Sequence, residues 1–273
     1  MTWNEIILLS LQEDLGTGDI TTDYLDLEPI PEKAFIVSKA PGVIAGLEIV
    51  KEVFLTVDKN LKITMYKRDG DTVKRGDEIL RLEGNPASIL KGERTALNFL
   101  QRLSGIATTT RAMVNKLEGT SAKVLDTRKT TPLLRSMEKY AVRIGGGYNH
   151  RFGLYDMILI KDNHIKACGS ITEAVNRVKE RNIAYKIEVE VSNIKELEEA
   201  VRAGVDRILL DNMSIPKIKN CVKRFGSKIE LEVSGGVTLD NIKEIAQTGV
   251  PYISSGALTH SFQSLDISLQ FKE

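Results

Sequence analysis

From about residue 104 onward the chain keeps one rhythm, a short β-branched or leucine-rich run followed by a helical stretch, and that rhythm constrains the fold most. The runs lie at 122–126, 157–161, 187–191, 207–210, 229–233 and 252–254. Between most of them stand ITEAVNRVKERN, IKELEEAVRAG, IPKIKNCVKRFG and LDNIKEIAQTG, each with helical spacing. Ser170, Asn193 and Ser214 occupy N-cap positions, and Gly204, Gly226 and Gly249 occupy positions where C-cap glycines belong. Strand–helix repetition of this kind means parallel strands with helices outside and right-handed connections. A (β/α) barrel is the expected architecture, and six strands rather than eight make it open or irregular.

Up to about residue 103 the pattern is mixed. Glu5 to Asp14 has helical spacing, and EDLGTGDITT is expected to be a glycine-punctuated loop. KAFIVSKAPGVIAG reads as strand and turn, Leu47 to Val57 as a helix, and Lys62 to Lys67 as a strand. DGDTVKRGDEILRLEG has Gly–Asp turns between short alternating runs, the pattern of hairpins. Its likeness to lipoyl- or biotinyl-carrier hairpins is weak, since the modifiable lysine with small or Met neighbours is missing at the tip. Ser88 to Leu103 is a long amphipathic helix leading out of this region. The expected division is an α+β domain over 1–103 and a barrel domain over 104–273.

Every strand of the second region ends on chemistry. The six ends read Thr127-Arg128-Lys129, Lys161-Asp162-Asn163-His164, Glu190, Asp211-Asn212, Ser234-Gly235-Gly236 and Ser255-Gly256. They recur about every 20 to 30 residues, one βα unit each, so the side chains converge on the mouth where barrel sites lie. GGGYNHRFGLYD adds His150 and Arg151 ahead of a strand. Arg128, Lys129, Arg151 and Lys161 together crowd one mouth with positive charge. At an effective dielectric near 20, like charges roughly 4 Å apart repel by about 4 kcal/mol, so such a cluster needs an anionic ligand of several phosphates or carboxylates. Glu190 and Asp211, on neighbouring strands inside this cationic site, are explained by Mg²⁺, which binds through one or two carboxylates plus substrate phosphates. The late hydroxyl- and glycine-bearing loops suit a phosphate held on backbone N–H groups. No GxxxxGK[ST] loop is present, and no GxGxxG in a dinucleotide-binding context.

Composition excludes other classes. Lys and Arg number 38 against 37 Asp and Glu, so no global charge argues for nucleic acid or a membrane surface. Cys168 and Cys221 are too few for a disulfide framework and lack metal-ligand spacing, which points to a reducing cytoplasm. The N-terminal stretch carries acids within its apolar run and no basic leader, and no apolar run approaches about 20 residues.

Eight blocks taken in order, EDLGTGDITT, GERTALNFLQRLSGIATTT, LDTRKTTPLLR, GGGYNHRFGLYDMILIKDNH, IEVEV, ILLDN, EVSGG and SSGALTHS, closely resemble the quinolinate phosphoribosyltransferase family. The resemblance runs from about residue 13 to 261. It implies an N-terminal α/β sandwich followed by an open α/β barrel. It implies transfer of ribose 5-phosphate from phosphoribosyl pyrophosphate to the ring nitrogen of pyridine-2,3-dicarboxylate, with release of pyrophosphate and CO₂ on the route to NAD. By the same resemblance Arg128, Lys129, Arg151 and Lys161 form the basic pocket with Thr127 and His150, and Arg94 reaches a neighbouring subunit's pocket. Glu190 and Asp211 lie near the ribose and Mg²⁺, and Ser234-Gly235-Gly236 and Ser255-Gly256-Ala257 surround the 5-phosphate. The expected working unit is a homodimer or a higher homo-oligomer with shared sites. The expected mechanism has no covalent intermediate: Glu190 or Asp211 steadies the charge at the anomeric carbon, and Lys129 or Lys161 is a proton source for carbon 2. A related phosphoribosyltransferase of other substrate shares several blocks, but the full set of pocket cations argues against it.

Overall fold

The computed structural model of the chain describes residues 1–181 and 184–272. Asn182, the last residue of the helical stretch ITEAVNRVKERN, lies outside the described residues. Two compact units are present, each drawn from separated stretches of sequence. The first takes Met1–Arg111, Thr131–Gly146 and the chain from Phe262 onward; the second takes Ala112–Thr130 and Gly147–Ser261.

The first unit opens with α1 (Trp3–Leu15), started by a capping box in which Thr2 and Glu5 satisfy each other's backbone donors. A second helix, α2 (Ile20–Leu25), follows because Asp19 Oδ1 accepts the Thr22 amide at 3.2 Å. The expected loop EDLGTGDITT is therefore helical at both ends and loop only between them. Next come β1 (Glu32–Ser38), β2 (Gly42–Val43), α3 (Leu47–Val57), β3 (Lys62–Met65), β4 (Thr72–Val73) and β5 (Glu78–Gly84). The main sheet is antiparallel, in the order C-terminal strand (Ile267–Phe271), β1, β5, β3. Ala34 and Ile36 of β1 pair across to Leu82 and Leu80 of β5, and all four are fully buried. Strand β4 pairs with β2 in a small separate sheet. The hairpin reading of DGDTVKRGDEILRLEG is thus corrected: its two strands enter different sheets, and no carrier-like hairpin forms there. The long helix α4 (Pro86–Lys116) runs beyond the expected Ser88–Leu103 at both ends, and α5 (Arg135–Ile144) belongs to this unit as well.

The second unit contains β6 (Lys123–Leu125), β7 (Ile158–Ile160), β8 (Ile187–Val191), β9 (Arg207–Asp211), β10 (Glu230–Ser234) and β11 (Tyr252–Ser254), each within one residue of its expected limits. All pair in parallel, in the order β6-β11-β10-β9-β8-β7. The last strand thus pairs with the first, and only the first and second are left unjoined, which makes an open barrel with one seam. Tyr148 fills the β6 side of that seam: its amide donates to Val124 O at 2.8 Å, and its carbonyl accepts from the Asp126 amide at 3.1 Å.

The connecting helices are α6 (Asp162–Cys168), α7 (Ile171–Lys179), α8 (Ile194–Ala203), α9 (Ile215–Phe225), α10 (Ile242–Ala246) and α11 (Ala257–His260). Ser170 and Asn193 cap α7 and α8 through their side chains, whereas Ser214 precedes α9 without a side-chain cap bond. Gly204 ends α8 in the left-handed region, but Gly226 stays right-handed after α9, and Gly249 lies beyond the Gln247 cap of α10.

Side chains alternate strictly along the barrel strands. Val189, Ile208, Leu210, Leu231, Val233 and Ile253 are buried on one face. The other face carries Lys161, Glu188, Glu190, Arg207, Asp211, Glu232 and Ser234. The barrel therefore keeps an aliphatic layer toward the helices and a mostly polar one inside, where Leu159 and Leu209 join the cavity wall.

Candidate active site

A cavity of about 860 Å³ opens over the strand ends of the second unit. Thr127, Arg128, Lys129, His150, Arg151, Lys161, Glu190, Asp211, Ser234, Gly235, Gly236, Ser255, Gly256 and Ala257 all line it. Every expected site residue except Arg94 is therefore on one wall system. Arg94 lies exposed on α4 in the first unit.

Each group is placed by a local cause. The β6 end turns sharply because Thr127 Oγ1 accepts the Lys129 amide at 3.0 Å, and Thr259 Oγ1 donates to Lys129 O at 2.8 Å. Gly256 lets the Lys129 stem lie against the last loop, since a Cβ there would come within 2.7 Å of Lys129 Cδ. Asn212 takes a positive φ of 51°, donates its amide to Ser234 O at 3.0 Å and turns Nδ2 to Asp211 Oδ2 at 2.8 Å. Gly235, at φ 90°, has no room for a Cβ beside that Asn212 side chain. Ser255 is buried and donates Oγ to Val237 O at 3.0 Å, which shapes the neighbouring loop.

The electrostatics match a site built for anions. Lys161 and Glu190 form a close ion pair on adjacent strands. Burial first, then the Arg128 guanidinium, presses the pKa of Arg151 below its ordinary value. Arg128 Nε is buried without a hydrogen-bond partner, a donor that a bound carboxylate would satisfy. His150 feels opposing forces. Burial disfavours its charged form, but hydrogen bonding to Glu188 and the charge of Glu232 outweigh this and raise its pKa.

Other residues belong to this neighbourhood and are absent from the expected set. Glu232, Thr238, Ser254, His260 and Ser261 also line the cavity, and Glu188 lies beneath it against His150. For Glu188 and Glu232 a signal exists in the sequence. In IEVEV and ELEVS they stand two residues before Glu190 and Ser234, and so share their face of the strand. Among the described residues, His150, Glu188 and Glu232 also form a group of cation-ligand composition.

Residues 19–104 match the family described as quinolinate phosphoribosyl transferase, N-terminal domain, and residues 106–270 match its C-terminal domain. The chain is 50% identical over 258 residues to a protein of Bacillus subtilis named probable nicotinate-nucleotide pyrophosphorylase [carboxylating], covering 94% of this chain and 89% of that one. It is 42% identical to a mitochondrial quinolinate phosphoribosyltransferase [decarboxylating] of Nicotiana tabacum, covering 97% of this chain and 81% of the relative. Among solved structures, the nicotinate-nucleotide pyrophosphorylase of Ehrlichia chaffeensis superposes with a TM-score of 0.96 at 44% identity, covering 100% of this chain and 99% of that one. The corresponding protein of Francisella tularensis gives 0.94 at 42% identity, covering 99% and 96%.

Proposed function

The chain belongs to the quinolinate phosphoribosyltransferase family, and from that premise we infer how its own side chains carry the reaction. It is a pentosyltransferase of NAD biosynthesis: ribose 5-phosphate passes from phosphoribosyl pyrophosphate to quinolinate, giving nicotinate mononucleotide, pyrophosphate and CO₂. The observation that carries the assignment of roles is the gathering of four cations, the carboxylates Glu190, Asp211 and Glu232, and two small-residue loops around one cavity, from six strand ends and the loop before β7.

Arg128 and Arg151, with His150 beside them, take the two carboxylates of the pyridine ring, for which guanidinium forks are suited. The loops Ser234-Gly235-Gly236 and Ser255-Gly256-Ala257 present backbone donors to the 5-phosphate. Glu190 and Asp211 are hard oxygen donors on neighbouring strands of the same cavity, a set that fits Mg²⁺ together with substrate phosphates. When bound, Mg²⁺ supplies positive charge to the pyrophosphate group.

As the bond from the anomeric carbon to pyrophosphate lengthens, positive charge develops on the sugar, and the Glu190 and Asp211 carboxylates stabilise it electrostatically. The pyridine nitrogen attacks from the opposite face. The resulting pyridinium draws in the electron pair left when the 2-carboxylate departs as CO₂. Carbon 2 then takes a proton, for which Lys129 and Lys161 are the ammonium groups on the cavity wall. The working unit under this reading is a homodimer or larger, with Arg94 entering the partner's cavity. A cytoplasmic location accords with the free cysteines Cys168 and Cys221, and no helix among the described residues is long and apolar enough to cross a membrane.

Mixing the protein with Mg²⁺, phosphoribosyl pyrophosphate and either quinolinate or nicotinate, and identifying products by mass, tests the reading. Leaving a guanidinium without its carboxylate costs several kcal/mol, so quinolinate should be preferred by about a hundredfold or more. Equal turnover of the two acids would overturn it.

A further inference from the structure

Inside the barrel, Glu232 on β10 at the cavity floor and Glu188 on β8 beneath it are completely buried. Buried carboxylates are costly unless partnered, so their placement calls for a physical reason. His150 reaches down to both: its Nε2 lies 3.0 Å from Glu188 Oε2 and 3.5 Å from Glu232 Oε1. Glu232 is further held by Arg207, whose Nη1 donates to its Oε2 at 3.2 Å. The ring's other nitrogen, Nδ1, accepts the backbone N–H of Arg151 at 2.8 Å.

Those two contacts fix the proton. A nitrogen that accepts an N–H bond carries no hydrogen of its own, so the hydrogen of the neutral ring is on Nε2 and is donated to Glu188. The same assignment bears on the cation-ligand composition of the trio: a metal ion would have to displace the Nε2 hydrogen. With hydrogen on Nε2, no ring lone pair faces the carboxylates.

The consequence reaches the cavity through Arg151. The backbone of residue 150 is tied to Asp126, whose Oδ1 accepts the His150 amide at 2.9 Å. The ring is tied below by Glu188 and at its side to the Arg151 amide. Arg151 Nη1 donates to Met157 O at 3.2 Å, and the guanidinium lies on the cavity wall. Rotating the imidazole by half a turn would remove the acceptor from the Arg151 amide and release the start of that side chain. We propose that Glu188 is a positioning residue: it holds His150 in the Nε2–H tautomer and so fixes the direction in which Arg151 meets the dicarboxylate. The part of this proposal that concerns the dicarboxylate rests on the function inferred above; the part that concerns the tautomer does not.

Glu188→Gln keeps a carbonyl oxygen that accepts from Nε2–H, and Glu188→Leu removes it. The chain has three histidines, so the His150 tautomer is accessible to long-range ¹H–¹⁵N spectra at alkaline pH. The wild type and the Gln variant should show Nε2–H at His150, with quinolinate KM unchanged within about threefold. The Leu variant should show a mixture of tautomers and a quinolinate KM raised by about tenfold or more, with the KM for phosphoribosyl pyrophosphate unchanged. A wild-type spectrum with hydrogen on Nδ1 overturns the proposal without any variant, including the case where the Leu protein does not fold. A folded Leu variant with an unaltered quinolinate KM, or with both KM values raised together, overturns it as well. Absence of any turnover of quinolinate by the wild type would instead sink the inferred function and leave the tautomer assignment standing.

Discussion

Glu232 is faced by His150 from the loop before β7, by Glu188 on β8, by Arg207 on β9 and by Ser254 on β11. Burial first, and then the charge of Glu188, pushes its carboxyl from the ordinary 4.5 up to about 7. Between those values the folded protein holds a proton that the unfolded chain has released. Raising pH through that window therefore favours unfolding, by at most about 1.4 kcal/mol per pH unit for one proton. His150, with its own raised pKa, acts in the same direction as pH climbs further. The urea midpoint should fall between about pH 5 and about pH 7.5, and Glu232→Gln should flatten that slope. A wild-type midpoint that climbs across this window would contradict the assignment. The same pair of glutamates marks where residue-level inference from sequence stopped. Arg128, Lys161 and Asp211 are legible because they follow the last residue of a strand or close it, where barrel sites lie. Glu188 and Glu232 sit one layer deeper: their spacing of two from Glu190 and Ser234 gives the strand face, but nothing local tells a buried acid on that face from a solvated one.

Helix α4 shows why element limits are harder to see than element types. Glycine costs about 1 kcal/mol against alanine inside a helix, and α4 passes through Gly92 and Gly105 without breaking. Both are required by neighbours remote in sequence. A Cβ on Gly92 would come within 2.7 Å of Phe54 Cδ1, and one on Gly105 would strike the carbonyl oxygen of Gln263. Tertiary approach thus overrides local propensity, and the helix runs on where the sequence pattern ended it. Gly105→Ala raises helix propensity yet forces the Gln263 backbone to move, so it should destabilise the protein by about 1–3 kcal/mol in urea unfolding. A more stable variant would show that the approach of the two segments is not tight. Strand pairing in the first unit was illegible for a related reason. β2 meets β4, and β1 meets the C-terminal strand, across intervals too long for a single turn to set the register. The six barrel strands were legible because each is a short, local β-branched or leucine-rich run set off by helical stretches.

At the scale of the whole molecule the open matter is Arg94. Its helix packs through Leu97 and Leu100, which are buried, while Arg94 itself is exposed and absent from the cavity that gathers every other expected cation. A solvated helix arginine is the simple explanation. The proposed function gives another, that Arg94 completes the cavity of a second copy, and two-fold symmetry would make the exchange reciprocal. The two explanations differ in a measurable way. Lys161 is a wall residue of its own cavity, paired with Glu190, so Lys161→Ala damages the site of the chain that carries it. If Arg94 serves the partner, Arg94→Ala damages the site of the other chain. Each variant alone should then be nearly inactive. Mixed in equal amounts, unfolded and refolded, random pairing gives about half mixed dimers. In each mixed dimer both lesions fall on one site and the other site is intact, so activity should return to roughly a quarter of wild type. An Arg94 acting within its own subunit would leave one lesion in each site, and the mixture would stay inactive. A fully active Arg94→Ala variant would return the residue to solvent.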